Sequence, residues 1–470
     1  MMEPPGIEPQ SLWSTVREAF RGTTQDLTAI PIRRAIVLLA VPTVLEMSME
    51  SLLTVVDIFF VSKLGSNAVA TVGLTEAMLS LVYALAMGLS TGATAIIARR
   101  VGEKDLDGAA IAAVQVIAAA FVIAGVLGVV GVLLSPRLLA LMGATPEVVA
   151  SGSTYTGVML GGSVTIFFLF VVNAIFRSAG DAATAMRSLW LANILNMVLA
   201  PCLIFGLGPF PRLGVVGAAV ATTVSRAVGV GYQFVVLARG RSRVRILARH
   251  LRIEPHVLAP LLRIAGVGAL QVLIETASWL GLVRILSSYG STALAGYTIA
   301  MRIAIFAMLP SWGLAGGAAT LVGQNLGAGE PLRAQRSVET IALYNVIVLG
   351  SIGVAFALFP DAVVSVVTSD REVTAYAASC LRIVALGFLF FGFGMVAVQA
   401  FNGAGDTLTP MIVNVSSFWF FKIPLAYVLA KVVGMGPRGV FIAITAAYSI
   451  QAIVAGLLFR RGRWKTRTIE

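Results

Sequence analysis

Glu46, Glu50 and Asp57 stand within one otherwise apolar stretch, VPTVLEMSMESLLTVVDIFFVSKLG. Spacings of four and seven residues, at 100° per residue, confine them to an arc of about 40° on a helix. They form one acidic stripe. A charge at the centre of a bilayer costs roughly 2.5 to 3.5 kcal/mol, so such a stripe must look onto water or polar partners. Like charges one turn apart in a poorly solvated place resist ionising together, which suits the stripe to taking up and releasing protons. The structural alternative is a set of polar contacts between helices, and Glu46 also reads as a group facing a vestibule at the start of its span. Asp57 carries the firmest expectation of chemistry.

Counting back from the far ends of their spans places Asp57 about 8 Å deep, Asn196 about 15 Å, Thr222 about 12 Å and Glu76 about 12 Å. These groups can meet. A carboxylate with Asn and Thr oxygens offers hard ligands for a small cation such as Na+ at Asp57, Asn196 and Thr222, or hydrogen-bond partners for a protonated acid. Farther along the chain Glu275 lies 225 residues after Glu50, whereas the residue 225 after Asp57 is Leu282. Arg302 and Lys422 fall at a depth comparable to Glu275, which therefore either joins the chemistry or is neutralised in an ion pair. Arg226 and Arg284 read as groups that snorkel or meet headgroups. Pro42 removes one backbone hydrogen bond fifteen residues before Asp57 and serves either as a hinge or as a fixed kink.

Other chemistry is excluded or reads as structural. Cys202 and Cys380 lie inside apolar segments, so no disulfide framework or thiolate site is expected. His250 and His256 sit in a basic loop without a ligand cluster and are expected to be solvated, so no metal site is assigned beyond the Na+ possibility. Phe167, Phe168, Phe170, Phe388, Phe390, Phe391 and Phe393, with Met159 and Met395, read first as packing or lipid-facing groups and second as the lining of a cavity for flat cations. No phosphate-binding glycine loop and no nucleophile with its base is present, which leaves neither an ATP-driven pump nor an enzyme, and no cofactor beyond a coupling ion, H+ or Na+.

The elements that must hold these groups follow from composition. Of 470 residues 58% are hydrophobic and 12% charged, and the mean hydropathy is +0.92. A soluble core of this length cannot bury so much. About 20 apolar residues cross a bilayer, and the sequence offers twelve such spans: 36–62, 68–98, 108–134, 148–176, 184–206, 214–238, 257–288, 292–324, 337–359, 372–402, 407–431 and 439–460. The runs are continuous rather than alternating, which excludes a β-barrel. The net charge of +12 belongs to connectors, so it sets topology and meets anionic lipid rather than nucleic acid.

With the N-terminus in the cytoplasm, Arg33, Arg34, Arg99, Arg100, Lys104, Arg177, Arg187, the 239–252 cluster, Arg333, Arg336 and the 460–467 tail lie inside. Only Lys63, Arg137, Arg212, Arg371, Lys431 and Arg438 fall outside. This bias predicts a multi-pass protein of the inner (plasma) membrane with both termini cytoplasmic. The first thirty residues lack a signal peptide, and Trp13, Val16, Phe20 and Arg21 fit a short surface helix.

The two halves repeat. Gly65 recurs as Gly290, Gly102 as Gly327, Glu147 as Glu372, and Gly180 with Asp181 as Gly405 with Asp406, each 225 residues on. Later the offset is 222, as in Gly217 and Gly439. Six spans per unit give the copies one orientation about an axis along the membrane normal. The predicted organisation is a tail (1–32), a six-helix lobe (33–240), a basic cytoplasmic linker (241–256), a second six-helix lobe (257–462) and a tail (463–470). The Gly and Asp pairs read as helix stop and cap signals.

The stretch quoted above, the loop ARRVGEKD, its counterpart LVGQNLGAGE, and FRSAGDAATAMRSLWLANILNMVLAP followed by GVVGAAVATTVS resemble the multidrug and toxic compound extrusion (MATE) transporters over nearly all of residues 33 to 462. The resemblance implies an all-α membrane protein of twelve helices in a V of two pseudo-symmetric lobes. It also implies alternating access and export of cationic amphiphiles in exchange for protons or sodium ions. It assigns coupling to Asp57, corresponding proline, asparagine and threonine positions to Pro42, Asn196 and Thr222, and a seventh-helix glutamate to Glu275. Where many relatives carry a second acid in the pattern NxxLDP this chain has Ala200, in NMVLAP. One fewer carboxylate weakens a sodium site unless Glu50 or Glu76 compensates, which favours proton exchange.

Two other classes compete. A flippase for lipid-linked precursors would present basic groups to the central cavity, and Arg302 and Lys422 keep that reading open. A channel would need a charged ring or filter, and none is seen. The expected partners are small, cationic amphiphilic substrates and membrane lipids, without nucleic acid, for a protein working as a monomer.

Overall fold

Every apolar run folds as helix in the computed structural model, which describes residues 12–23, 25–240 and 242–468. Ahead of the spans lies α1 (Leu12–Arg21), an amphipathic surface helix that leaves Trp13 exposed, as its sequence predicts; the first eleven residues of the expected tail lie outside the described residues. The first six spans are α2 (Ile32–Ser62), α3 (Ser66–Gly102), α4 (Leu106–Leu141), α5 (Pro146–Gly161) continued by α6 (Ser163–Ser178), α7 (Ala182–Phe205) and α8 (Val215–Ala238). After the linker come α9 (Pro255–Ser287), α10 (Ser291–Gly327) and α11 (Pro331–Leu358). A short α12 (Pro360–Ser365) leads to α13 (Arg371–Ala385) and α14 (Phe388–Gly403), which together make one span bent by 57°. The eleventh span, Leu408–Val432, joins α15 (Leu408–Asn414) and α16 (Ile423–Tyr427) through π-helical turns at Val415–Lys422 and Val428–Val432, and α17 (Pro437–Arg460) is the last.

Two span limits differ from the sequence expectation by more than four residues. The third span runs on to Leu141 rather than 134, and the ninth starts at Pro331 rather than 337. In both cases a helical end carrying proline or arginine projects past the apolar window that a span search measures. Elsewhere the stops are local chemistry. Gly65 and Gly290 take φ of 95° and 96°, and Gly180 and Gly405 take 92° and 82°, conformations that glycine adopts without a Cβ penalty. Asp181 accepts the Thr184 backbone N–H and hydroxyl, and Asp406 accepts those of Thr409, so the repeated Gly-Asp pairs are turns and caps.

The repeat also governs how the lobes meet. A Cβ on Gly102 would lie 2.0 Å from the Gln324 carbonyl oxygen, and one on Gly327 would lie 2.0 Å from that of Arg99. Because 327 − 102 and 324 − 99 both equal 225, the two contacts exchange under the repeat, and the pseudo-twofold axis passes between α3 and α10 there. Further close approaches bring Gly88 to Ala265 of α9 and Gly313 to Val44 of α2. All of these lie in the halves of the spans nearer the chain ends. Beyond them, in the other halves of α3 and α10, Glu76 and Arg302 are both exposed, and the charge of the arginine acts on the glutamate.

At the closed end the chain ends strap the lobes. Leu27 is buried against Gly180 of the first lobe, while Arg333 of α11 donates to the carbonyls of Leu27 and Ile30. Arg34 pairs with Glu18, and Arg99 donates to the Arg467 carbonyl. Both described ends of the chain therefore lie on one face. Substituting Gly327→Leu is expected to force α3 and α10 apart at this face. A cysteine placed at buried Ala98 should then react with a maleimide in detergent about tenfold faster than in the parent, and unchanged labelling would refute the contact.

The linker is not a free loop. Buried Gln115 donates to the Arg252 carbonyl and accepts from the Glu254 N–H. His250, expected to be solvated, is instead buried, with Nε2 3.1 Å from Asp107 and Nδ1 accepting the Leu247 N–H. A tight 3-10 turn at Ala248–His250 tucks the ring under the linker, where it caps the turn. His256 stays exposed beside Glu254.

Candidate functional site

The acidic stripe of α2 divides on folding. Glu46 is buried, receives Arg177 of α6 at 2.9 and 3.1 Å and accepts Asn173 Nδ2 at 2.9 Å. Asn173 Oδ1 in turn accepts Gln233 Nε2 at 2.6 Å and the Ser188 hydroxyl at 2.9 Å. Glu46 is thus fully saturated. Its counterpart 225 residues on is Gln271, which donates to Asn402, the counterpart of Arg177, at 3.3 Å. The same inter-helix contact exists in both lobes, charged in one and neutral in the other. Glu46 therefore belongs to the scaffold, and Arg177 is its partner as well as a topological charge.

One turn on, Glu50 is half-buried and accepts Asn193 Nδ2 of α7 at 3.1 Å. Asp57 lies farther along the same face, half-buried, and makes no hydrogen bond or ion pair among the described residues. The charges that act on it are Arg226 of α8, Glu50 and Glu76. Asn196 and Thr222 meet each other, Nδ2 to Oγ1 at 3.0 Å, and the threonine hydroxyl is also held by the Ala218 carbonyl. Asn196 Oδ1 is buried and has no partner. A buried amide oxygen left unpaired costs about 1 to 3 kcal/mol; Gln233 Oε1 is another in this lobe, but Asn196 Oδ1 is the one on an expected site residue, where a proton donor or a small cation would satisfy it. The structure joins Asn196 to Thr222 without joining either to Asp57. Ala200 lies in the buried core, so no second carboxylate approaches from α7.

Arg226 was not legible as a site residue. It points into the lobe rather than to headgroups, donating to the Tyr83 hydroxyl at 3.0 Å, and the acids acting on it are Glu50 and Asp57. Tyr83 stacks edge-on against Phe170, which fixes the direction of the arginine. The signal in the sequence was its placement about three turns from either end of the mostly apolar α8, where snorkelling to a headgroup is a long reach. Arg226→Met is expected to leave the fold intact and to slow at least about tenfold the ion-exchanging export that the resemblance implies, because Glu50 and Asp57 then lose the cation that acts on both. Export at the parent rate would remove Arg226 from the site.

Glu76 is exposed; its charge acts on Asp57 in its own lobe, and Arg302 of the second lobe acts on it. Arg302 accordingly is not the partner of Glu275. That glutamate accepts the Tyr448 hydroxyl of α17 at 3.1 Å and feels Lys422 of the eleventh span. The second lobe thus keeps an acid at the position equivalent to Glu50, has Phe418 and Tyr448 at those equivalent to Asn193 and Arg226, and takes its cation from Lys422 instead. Pro42 is buried within an unbroken α2, with Thr43 donating to the Leu39 carbonyl and Val44 at the crossing with Gly313. Of the aromatic runs, Phe167, Phe388 and Phe391 are core residues, and Phe168 and Phe170 pack against that core. Cys380 is buried among them and Cys202 is unpaired. Among the described residues no three His, Cys, Asp or Glu side chains cluster to hold a metal.

A family model described as MatE matches residues 42–202 and 269–428, one match in each half. The chain is 28% identical over 445 residues to "Probable multidrug resistance protein NorM" of Thermotoga maritima, covering 93% of this chain and 94% of that protein. It is 23% identical to "Probable multidrug resistance protein YoeA" of Bacillus subtilis (92% and 94% covered) and 24% identical to an "FAD transporter" of Shewanella oneidensis (93% and 96%). A solved structure described as the outward-facing conformation of a multidrug resistance MATE family transporter superimposes with a TM-score of 0.88 at 28% identity, over 94% of this chain and 98% of that one. A MATE in complex with MaL6 gives 0.89 at the same identity, over 94% and 99%.

Proposed function

The chain belongs to the MatE family of multi-pass membrane transporters, and on that premise we propose that it exports small cationic amphiphiles in exchange for protons. It is a transporter and not an enzyme. The observation that carries the proposal is the arrangement in the first lobe. An acid, Asp57, holds no hydrogen bond or ion pair among the described residues and lies on the same face as a half-buried Glu50, while buried Asn196 Oδ1 on α7 has no donor among them. As a carboxylate, Asp57 can only accept hydrogen bonds; once protonated it becomes a donor, and the orphan amide oxygen on α7 is an acceptor that a movement of α2 would bring within its reach. Proton binding then favours a different packing of the first lobe from proton release, which is what alternating access needs. Pro42 would serve as the hinge.

In this reading the described end with the straps, where α3 and α10 cross closely, faces the cytoplasm, in the inner (plasma) membrane, and the space between the lobes opens outward; the bias of positive charge supports the orientation. The protein works as a monomer, with its own two lobes supplying the paired architecture. Sodium is the second candidate for the coupling ion, at Asp57, Asn196 and Thr222; the alanine at position 200 leaves that set with a single carboxylate, which favours the proton. The runner-up function is flipping of a lipid-linked precursor. It needs cationic groups open to the cavity, and of the two that kept it in view Lys422 is fully buried while Arg302 faces the acid Glu76.

The test is export from cells. A bacterial strain stripped of its own exporters and carrying this chain should accumulate less ethidium or tetraphenylphosphonium than the same strain carrying an empty vector, and should regain that accumulation when a protonophore is added. Equal accumulation with and without the chain, beside a measurable transfer of a labelled lipid-linked sugar, would move the assignment to the flippase.

A further inference from the structure

Lys422 is completely buried, and nothing in the transport scheme above uses it. Its ammonium donates to the Ser278 hydroxyl at 2.8 Å. It lies 4.3 Å from the ring centroid of Phe418, 4.8 Å from that of Trp279 and 5.6 Å from that of Tyr448. The carboxylate whose charge acts on it is Glu275, and Tyr448 ties the two together, since its hydroxyl donates to Glu275 at 3.1 Å while its ring faces the lysine. These groups come from three separate places: Glu275, Ser278 and Trp279 from α9, Phe418 from the eleventh span, and Tyr448 from α17. The π-helical turn Val415–Lys422 ends at the lysine and delivers its stem into the space between them.

Aromatic faces on several sides, a hydroxyl acceptor and a nearby carboxylate are the means by which proteins bind alkylammonium ions. We propose that the second lobe contains an alkylammonium cage, built from Trp279, Phe418, Tyr448, Ser278 and Glu275, which the chain fills with its own Lys422. The lysine is a resident cation on a tether. A lone buried ammonium would be expelled by its desolvation cost, and the cage supplies the rings, acceptor and counter-charge that hold it. The consequence for transport, which alone rests on the exporter reading, is that Glu275 is already matched by a fixed cation, so exchange of the coupling ion belongs to the first lobe.

The test reads binding and unfolding of the full chain in detergent, so its failure is distinct from a failure of the transport assignment. Lys422→Ala removes a three-carbon stem and its ammonium, and n-propylammonium replaces those atoms while n-propanol replaces all but the charge. The amine should raise the unfolding temperature of Lys422→Ala and not that of the parent, with an apparent affinity at least about tenfold better than the alcohol. Glu275→Gln in the same background should weaken that binding. If Lys422→Ala folds only when purified in the amine and not in the alcohol, the result supports the cage equally. Rescue by both compounds alike, or by neither, overturns it.

Discussion

Asp57→Asn should abolish gradient-driven export and leave a folded protein behind. The substitution keeps the shape of the side chain and removes its titratable charge, and because Asp57 holds no hydrogen bond or ion pair among the described residues there is no scaffold contact to lose. Its unfolding temperature should therefore stay within about 2 °C of the parent. Glu50→Gln is expected to be milder: the new amide can present its oxygen to Asn193 Nδ2, so the contact survives and only the charge beside Asp57 is gone. Export assays with both variants separate the roles. Loss in Asp57→Asn with partial activity in Glu50→Gln is the expected pattern; the reverse order would move the coupling acid one step down the stripe.

The second large effect concerns the scaffold. Glu46→Ala should destabilise the first lobe by about 3 kcal/mol, because it leaves Arg177, Asn173 and their network without the carboxylate they surround. The second lobe shows how the contact can be made without charge, through Gln271 and Asn402. Copying that solution as the double variant Glu46→Gln with Arg177→Asn should recover most of the loss. Each single substitution should be worse than the pair. Thermal unfolding of the four proteins gives the coupling directly, and losses that simply add would show that the ion pair is not the unit that matters.

Much of the architecture was legible because a bilayer leaves few options. Long apolar runs must be helices, even-numbered repeats must share an orientation, and the constant offset of 225 already marked Gly102 and Gly327, which prove to be the crossing on the pseudo-twofold axis. What escaped was the pairing of charges across helices. Spacing along α2 placed Glu46 in one stripe with Glu50 and Asp57, yet its fate was decided by Arg177 arriving from α6, more than a hundred residues away. Arg226 and His250 escaped for the same reason, since their partners Tyr83 and Asp107 lie on other elements. The bend at the tenth span and the π turns of the eleventh also left no mark in hydropathy, which reports how apolar a segment is and not how it is wound.

In the function proposed above, a proton gradient acts through the first lobe to drive out an organic cation. Purified protein in sealed liposomes, loaded with a fluorescent cation and given either an inward proton gradient or an inward sodium gradient of equal size, tests it most directly. The account predicts efflux of the dye under the proton gradient, little under sodium, and none from Asp57→Asn under either. Efflux driven by sodium alone, or driven equally well by protons when Asp57 is Asn, would contradict it.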